Sequence, residues 1–478
     1  MDPHVSIIVS GWNVIRLALT SHGIEIRLSN HERTMHLGFT VWPSGFHPAG
    51  WRLPESVDDG YSNPAFLRQL AETAERGKFD FFFIGDQLVA RPDLQHQRPN
   101  HVLRPEALTL AGFIAASTSH IGIVATVNVT YADPFSVARA TATLDHLSGG
   151  RIAWNVVTGE LDEAAANFNR KSHWDNSRRY DSAEEFVEVV KKLWDSWEDG
   201  ARIADKETGD FIDAAKVHKI DHAGEFFSVA GPLNVERPVQ GQIPLVNAGR
   251  SERSLEFGAK YSDMKFTNST ALDLPDAKAY YDDTKRRLAA FGRTPDQQLV
   301  IPGIVVYTGE TTEQAQELYS RIHDRSLAPI DLGGLGNALG VELTGFDTDT
   351  PVSRVEALHH LTSEARQVLD DAVWQYGGDD ITLAQLYLSF HRRWNFREVV
   401  GNPQHVADVL EEWFLGHAAD GFMIFPPHLP GALDDFVDLV VPELQRRGLY
   451  RTEYQETTLR ERFGLARPAS AFESSVTP

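Results

Sequence analysis

The sequence predicts an α/β fold, a (β/α)8 barrel with insertions. Eight short runs recur along the chain, and they are nearly continuous in apolar residues, as strands buried on both faces should be. The segments between them carry the three- and four-residue spacing of amphipathic helices. Eight strands that alternate with helices favour a closed parallel barrel. An open, doubly wound sheet is the alternative, but no run is followed by the phosphate fingerprint G-x-G-x-x-G.

The predicted strands follow one another in chain order. The first, MHLGFTVW, begins at Met35, after a stretch that does not share the pattern. The fourth, RIAWNVVT, carries an amide, Asn155, within an otherwise apolar run. The eight predicted strands are 35–42, 79–86, 121–129, 151–158, 243–248, 263–267, 299–307 and 421–426.

The helices are predicted from their boundaries and their apolar stripes. Asp133 is a suitable N-cap, Pro134 suits the first helical position, and Gly149 suits the stop of the same helix. Thr311 and Gln314 have the spacing of a capping box. Residues 180–197 place their apolar side chains on one stripe, as a helix that packs against the barrel should.

The chain is predicted to form one barrel domain over residues 35–465. Residues 1–34 are expected to be a loose N-terminal extension or the product of an upstream translation start, and 466–478 a C-terminal tail. Two long stretches, about 198–242 and 326–402, interrupt the alternation. Insertions of this length in a barrel usually lie on the active face, as lids or subunit contacts.

Composition excludes several classes of protein. The 478-residue chain has a formal net charge of −22 and no cysteine, so disulfides, thiolate catalysis and cysteine-bound metals are ruled out. The acidic balance argues against nucleic acid as a partner, because such binding needs clustered Lys and Arg. No apolar run is long enough to span a membrane, and residues 1–34 lack the pattern of a signal peptide. We therefore expect a cytoplasmic protein.

Polar residues collect where the predicted strands end. Asp86, Thr126, Asn155 and Thr158 lie at or near the carboxyl ends of the second, third and fourth strands. In a barrel these ends meet on one face, where active sites form. Contact with water explains Thr158 equally well, but it does not explain Asn155, because a buried amide needs a partner. The pattern predicts a shared pocket.

The stretch NAGRSERS (247–254) follows the fifth predicted strand and leads into a helix. Gly249 permits a close backbone approach, and Ser251 with the free N–H groups of the helix start forms a seat for an anion, to which Arg250 adds charge. A phosphate group fits such a seat. An ordinary capped helix is an equally good explanation at this point.

Other chemistries find no support. His218 and His222 have a four-residue spacing, but their segment looks like strand or loop and has no third ligand nearby, so no metal site is predicted. No G-x-S-x-G elbow is present for a hydrolase, and no carboxylate pair stands out for a glycosidase.

Six longer stretches of the chain carry a further signal: HPAGWR (47–52), AERGKFDFFFIGD (74–86), ATVNVTYADPFSVARATATLDHLSGGRIAWNVVT (125–158), RRYDSAEEFVEVVKKLWDSWEDGA (178–201), GEFFSVAGPLNVERPVQGQIPLVNAGRS (224–251) and ADGFMIFPPHLPGALDDFVDLVVPELQRRGLYRTEYQETTLRERFGL (419–465). In these stretches the chain resembles the bacterial-luciferase-like flavin monooxygenases, in the branch of nitrilotriacetate monooxygenase component A and dibenzothiophene-sulfone monooxygenase. The resemblance runs from about Met35 to Leu465.

The resemblance implies an FMN site. Its phosphate would sit at Gly249–Ser251, and its ring near Thr126 and Asn155. Asn176 stands where the family often has a histidine, and an amide can donate a hydrogen bond but cannot titrate. Ser254 replaces a frequent glycine. The residues expected to bind FMN are Asp86, Thr126, Asn155, Asn176, Tyr180, Gly249, Arg250 and Ser251.

The resemblance also implies the substrate side of the site. His47 matches a histidine of the family's active-site loop and is a candidate catalytic hydrogen-bond partner. Phe39, Phe83 and Phe266 match apolar positions of the substrate pocket, and no metal is expected.

The implied enzyme is the oxygenase component of a two-component monooxygenase. It would use O₂ and reduced FMN (FMNH2) from a separate NAD(P)H:flavin reductase, and act on a small organic substrate, such as an organosulfur or aromatic compound, by oxygen insertion or by C–S, C–N or C–halogen cleavage. A homodimer or homotetramer is expected. Two alternatives stay open: a deazaflavin-dependent oxidoreductase on the same barrel, and a non-catalytic flavin-binding protein.

Overall fold

A computed structural model describes residues 4–9, 13–20, 23–29, 33–43, 45–92, 102–159, 161–267, 273–324, 330–376, 378, 380–393 and 396–472. The strands are β1 (His4–Val9), β2 (Asn13–Thr20), β3 (Gly23–Ser29), β4 (His36–Thr40), β5 (Phe81–Ile84), β6 (Gly122–Asn128), β7 (Ile152–Val157), β8 (His222–Ala223), β9 (Ser228–Val229), β10 (Leu245–Asn247), β11 (Met264–Thr267), β12 (Leu299–Thr308), β13 (Arg397–Gly401) and β14 (Gly421–Phe425). The α-helices are α1 (Pro64–Arg76), α2 (Ala107–Ser117), α3 (Pro134–Ser148), α4 (Ala164–Asn167), α5 (Asn176–Asp195), α6 (Glu252–Tyr261), α7 (Leu274–Arg287), α8 (Thr312–Ile322), α9 (Leu332–Leu339), α10 (Ser363–Tyr376), α11 (Leu383–Arg393), α12 (Pro403–Leu415), α13 (Gly431–Asp435), α14 (Val441–Arg446) and α15 (Leu459–Arg462).

Eight parallel strands close into a barrel, which confirms the predicted fold class. The eight follow one another around it in chain order, and the last pairs with the first: β4, β5, β6, β7, β10, β11, β12 and β14. Seven of the predicted strands contain one of them, and the remaining one, 299–307, ends one residue before β12 does. The predicted caps are also present, because Asp133 caps α3, Gly149 ends it with φ +68°, and Thr311 and Gln314 form a capping box on α8.

Alternate side chains of each strand face two different cores. On β5, Phe81 and Phe83 point into the barrel, whereas Phe82 and Ile84 pack against the surrounding helices. Gly38 of β4 makes room for this interior, since a Cβ atom there would lie 2.2 Å from the Phe81 ring. The barrel is therefore filled by side chains at its centre.

One strand, β13, is not among the predicted strands. It pairs in parallel with Ile304–Thr308 of β12. This part of β12 follows Leu299–Pro302, the part that pairs with β11. Because Ile304 and Val305 also pair with β14, β13 must lie on the β11 edge of β12. It therefore extends the barrel wall at the carboxyl ends of the strands, which we call the barrel mouth.

The segments outside the barrel have structure of their own. The backbone of β1–β3 forms an antiparallel sheet. Within 198–242, β8 and β9 form a short hairpin. Helices α9, α10 and α11 pack around a separate apolar cluster that includes Leu335, Leu343 and Leu386. The boundaries of the extension, the insertions and the tail stay predictions.

The amino end of the barrel is covered by the last helix. Phe463 follows α15 and packs edge-on against the interior Phe81 at 6.0 Å between ring centroids. Leu459 and Leu465 join the same cluster. The interior can therefore be reached from the mouth rather than from this end. No helix in the described part of the chain is long and apolar enough to cross a membrane.

Candidate active site

Two polar side chains meet inside the barrel near its mouth. Thr126 and Asn155 are register partners on β6 and β7, and each is 3% exposed. Val124 and Ala153, two residues earlier on the same strands, face the interior, so Thr126 and Asn155 face it as well. Asn155 Nδ2 donates a hydrogen bond of 2.9 Å to Thr126 Oγ1.

The other amide atom of Asn155 is unsatisfied. Within the described residues, its Oδ1 is buried and accepts no hydrogen bond. A buried acceptor without a donor costs about 1–3 kcal/mol, so such atoms usually mark a site where a ligand or water completes the set. This oxygen is suited to accept a hydrogen bond from a bound molecule.

The anion seat lies between β10 and α6. Gly249 has φ +101°, a conformation that favours glycine, and a Cβ atom there would lie 2.9 Å from Ser254 Oγ. Ser251 is the N-cap of α6, and its hydroxyl accepts a 3.3 Å hydrogen bond from Ser254 N. Gly249, Arg250 and Ser251 are exposed, so an anion can reach the helix start. The Arg250 guanidinium lies 5.0 Å from the Tyr280 ring.

Two predicted cofactor residues lie on α5. Tyr180 is buried and packs against Phe257 of α6, with 5.8 Å between ring centroids. Asn176 is exposed at the first turn, where its Oδ1 accepts a 3.3 Å hydrogen bond from Arg179. Tyr180 thus fixes α5 against the helix of the anion seat, whereas Asn176 remains accessible.

Asp86 follows β5 and is half-buried. Burial raises the pKa of its carboxyl group above the ordinary value, while the hydrogen bond from Gln87 N and the positive charge of Arg104 act in the opposite direction. The Arg104 guanidinium lies 4.0 Å over the Trp42 ring. Together these side chains place a polar edge beside the aromatic part of the mouth.

Aromatic side chains form one wall of the mouth. Phe83 and Phe266 lie 5.9 Å apart, and Phe266 also contacts Phe396 at 5.8 Å. Phe396 stacks on Phe425 at 3.9 Å, and Phe46 contacts Phe425 at 4.8 Å. These five rings define what we call the aromatic wall.

The structure does not bring Phe39 to this wall. Phe39 is fully buried on the helix-facing side of β4, where it packs edge-on against Phe82 at 5.2 Å. Residues one apart on a strand face opposite sides, and Phe39 has the orientation of Phe82 rather than that of Phe83. The prediction that Phe39 lines the pocket is therefore wrong.

His47 lies in the loop after β4, next to the aromatic wall. Its Nδ1 accepts a 3.1 Å hydrogen bond from Ala49 N, and its backbone N donates to Pro427 O at 3.1 Å. Its ring lies 4.6 Å from that of His323. The hydrogen bond to Nδ1 leaves the proton of a neutral imidazole on Nε2.

Comparison with known proteins decides the family. The model of the luciferase-like monooxygenases matches residues 44–417. The chain belongs to this family. It is 40% identical over 446 residues to N-acetyl-S-(2-succino)cysteine monooxygenase of Bacillus subtilis (strain 168), covering 93% of this chain and all of that protein. It is also 40% identical to nitrilotriacetate monooxygenase component A of Aminobacter aminovorans, over 92% of this chain and 98% of that one.

A solved structure agrees with this assignment. DmoA from Hyphomicrobium sulfonivorans superposes with a TM-score of 0.78 at 30% identity, covering 90% of this chain and 92% of that one. The resemblance predicted from the motifs is thereby confirmed, and this luciferase-like monooxygenase is an enzyme of the barrel fold described above.

Sequence reasoning missed three residues of this luciferase-like monooxygenase. Phe396 and Phe425 complete the aromatic wall, and Phe396 lies just before the unpredicted β13. Lys265 lies within the predicted strand DMKFT and is 1% exposed beneath the anion seat. A charged residue between apolar neighbours of a strand was the available signal, just as the neutral amide was the signal for Asn155.

The two histidines noted in the sequence contact different carboxylates. His218 Nε2 contacts Glu198 at 2.6 Å, whereas His222 Nε2 contacts Glu185 at 3.0 Å, so each histidine has its own carboxylate. Over the residues that the structure describes, no group of three or more His, Asp or Glu side chains is arranged to hold a metal ion.

Proposed function

We propose that this enzyme is the oxygenase component of a two-component flavin monooxygenase that uses reduced FMN and O₂. The observation that carries the proposal is the buried Asn155 Oδ1, which faces the barrel interior and has no donor in the part of the chain that the structure describes. The reduced isoalloxazine ring has N–H groups on one edge, and such a group would complete the hydrogen bonding of this oxygen. Thr126 fixes the amide in that orientation.

The residues of the anion seat fit the phosphate group of FMN. Gly249 allows close approach, Ser251 offers a hydroxyl, and the first turn of α6 offers N–H groups and the positive end of the helix dipole. Arg250 adds charge at the same loop. Asp86, Asn176 and Tyr180 remain proposed contacts of the cofactor. When bound, reduced FMN supplies the electrons that activate O₂.

The role of the protein is then to orient the reactants and to exclude water. The aromatic wall, with Phe83 and Phe266 at its centre, shields the reacting centre and presents apolar surface to the substrate. We assign His47 the role of hydrogen-bond donor to the substrate or to the oxygen atom being transferred. One oxygen atom enters the substrate and the other leaves as water.

We propose an organosulfur or aromatic compound as the substrate. Its apolar part would pack against the aromatic wall, since rings and thioethers make favourable contacts with aromatic faces. The name of the Bacillus subtilis relative denotes a thioether of cysteine, which agrees with this class. Oxygen insertion next to sulfur, with C–S cleavage, is the reaction we propose first.

A separate NAD(P)H:flavin reductase would supply the reduced FMN. The sequence contains no dinucleotide fingerprint after its strands, and one relative is named as component A of its enzyme. A cytoplasmic homodimer or homotetramer is part of the same proposal. The names of both relatives favour an oxygen-dependent reaction over the deazaflavin alternative.

The proposal is tested by adding reduced FMN to the protein without oxygen and then mixing the complex rapidly with oxygenated buffer. We expect binding, followed by reoxidation that is slower than that of free reduced FMN and passes through a distinct transient spectrum. If reduced FMN binds but is reoxidised as fast as free reduced FMN, even in the presence of candidate thioethers, the result would favour the non-catalytic alternative. No binding of FMN, with binding of a reduced deazaflavin, would contradict the proposal.

A further inference from the structure

Lys265 is a buried lysine that has no counter-charge among the described residues. It lies on β11 between two interior-facing residues, so its side chain points outward under the first turn of α6. Among the described residues, no carboxylate lies within 4.0 Å of its Nζ, and the sequence of the segment 268–272 contains no acidic residue. Arg287 is the charged group that acts on it, and Arg287 is also positive.

The hydrogen bonds around Lys265 nevertheless fit the charged form. Its Nζ lies 2.7 Å from Asn247 Oδ1, 3.0 Å from Ser254 Oγ and 3.2 Å from Ser254 O. The Ser254 hydroxyl donates to Ala248 O at 2.7 Å, so it accepts from Lys265. Three acceptors match the three donors of an ammonium group, whereas a neutral amine has two.

Without a bound cofactor, the surroundings of Lys265 disfavour its positive charge. Burial lowers the pKa of Lys265 to about 7, and the charge of Arg287 acts in the same direction. The amino end of α6 is a further positive pole nearby, which disfavours a cation. The geometry thus holds an ammonium group in a place that lacks the negative charge needed to stabilise it.

The anion seat is where that negative charge would arrive. Ser254 links the two places, because its backbone N donates to the Ser251 hydroxyl, and its own hydroxyl lies between Lys265 and the loop at Ala248 and Gly249. Two hydrogen bonds therefore connect the ammonium group with the loop that receives the phosphate. A doubly charged phosphate there would attract the Lys265 ammonium group across the buried Ser254, where water screens charges least.

We propose that Lys265 is the buried counter-charge of the cofactor phosphate, a positioning residue that gives the enzyme its preference for FMN over riboflavin. The inference rests on the proposed function, because it requires a flavin whose phosphate binds at Gly249–Ser251. Lys265 acts through Ser254 and the loop, without touching the reacting atoms.

The test compares reduced FMN with reduced riboflavin, which lacks the phosphate, under anaerobic conditions by quenching of tryptophan fluorescence. Lys265→Met removes the charge and the hydrogen bonds, whereas Lys265→Gln removes the charge and retains an amide that can bond to Asn247 and Ser254. Either variant suffices if the other fails to fold. In each we expect the FMN affinity to fall about tenfold or more, with the riboflavin affinity changed by less than about twofold.

Lys285→Met is the matched control. Lys285 is also a buried cation, but it lies 2.8 Å from Asp420, away from the anion seat. We expect this variant to unfold at a lower temperature and to keep the FMN-to-riboflavin ratio of the wild type. An equal loss of both flavins in the Lys265 variants, or an unchanged ratio, would overturn the inference. A wild-type protein that binds neither flavin would instead overturn the proposed function.

Discussion

The two ends of the barrel treat buried polar groups differently. At the amino end, Asp80 is fully buried, and its carboxylate lies 2.8 Å from Arg451 and 2.9 Å from His36, while it accepts a 2.8 Å hydrogen bond from Leu37 N. At the mouth, the described residues offer no donor to Asn155 Oδ1 and no counter-charge to Lys265.

This difference indicates that the buried polar groups at the amino end stabilise the fold, whereas those at the mouth serve binding. In the amino-end network the buried charge has its counter-charges, since Asp80 pairs with Arg451 and His36, although Arg451 Nη1 has no acceptor among the described residues. The charges of Arg451 and His36 outweigh the desolvation that burial imposes, and they lower the pKa of Asp80 to about 2. The groups at the mouth are held in place by protein contacts, yet each lacks a partner that a flavin phosphate or ring would provide. We infer that substitutions at one end change folding, and that those at the other change binding and turnover.

The largest effect is expected at the amino end. Asp80→Asn removes the negative charge that faces Arg451, so a buried guanidinium loses its partner. We expect the free energy of unfolding to fall by about 3–5 kcal/mol, measured by urea denaturation. A change below about 1 kcal/mol would show that the amino-end network does not stabilise the fold and would break the comparison.

The next effect concerns turnover at the mouth. His47→Ala should lower product formation about a hundredfold on a thioether or aromatic substrate, because a positioned hydrogen-bond donor is lost. Binding of reduced FMN should survive. His218→Ala, which alters a histidine paired with Glu198 in the insertion, is the control and should leave turnover unchanged. Unchanged turnover in His47→Ala would remove His47 from the mechanism.

A smaller effect is expected from the unsatisfied amide. Asn155→Val removes both polar amide atoms from a buried position and puts an apolar side chain of similar bulk in their place. We expect reduced FMN to bind about tenfold more weakly, the loss of about one hydrogen bond, with thermal stability nearly unchanged. A large loss of stability with normal affinity would mean that Asn155 serves folding, as Asp80 does.

The smallest effect is expected at the anion seat. Ser251→Ala should weaken FMN binding a few-fold, leave riboflavin binding unchanged, and cost about 1 kcal/mol of stability through the lost N-cap. Thr311→Ala removes the equivalent cap of α8 and is expected to cost similar stability without any change in FMN affinity. An unchanged FMN affinity in Ser251→Ala would contradict the phosphate assignment.

The fold could be predicted because every barrel strand is a compact apolar run bounded by helical patterns. β13 could not be predicted, because its sequence, REVVG, mixes charged and apolar residues. It also pairs with β12 beyond the end of β11. Asn155 could be predicted because a polar residue stands out in an apolar strand. Phe39 could not be placed, since in a strand that is apolar on both faces the alternation that distinguishes the two faces is lost.

Lys265 shows a further limit of sequence reasoning. Its residue type stands out in DMKFT, but its meaning depends on contacts with Asn247 and Ser254 from other elements. Ser254 departs from a glycine that is frequent in the family, and its hydroxyl contacts this lysine. The contact between these two unusual residues is therefore visible only in the structure, where β11 and α6 lie next to each other.

The central claim is that the mouth of the barrel holds reduced FMN with its phosphate at the start of α6 and its ring at Asn155. The most direct measurement is a crystal structure of the protein with FMN, prepared without oxygen. We expect the phosphate within hydrogen-bond distance of Ser251 and a ring N–H donating to Asn155 Oδ1. A flavin bound elsewhere, or one whose ring leaves Asn155 Oδ1 unsatisfied, would contradict the account.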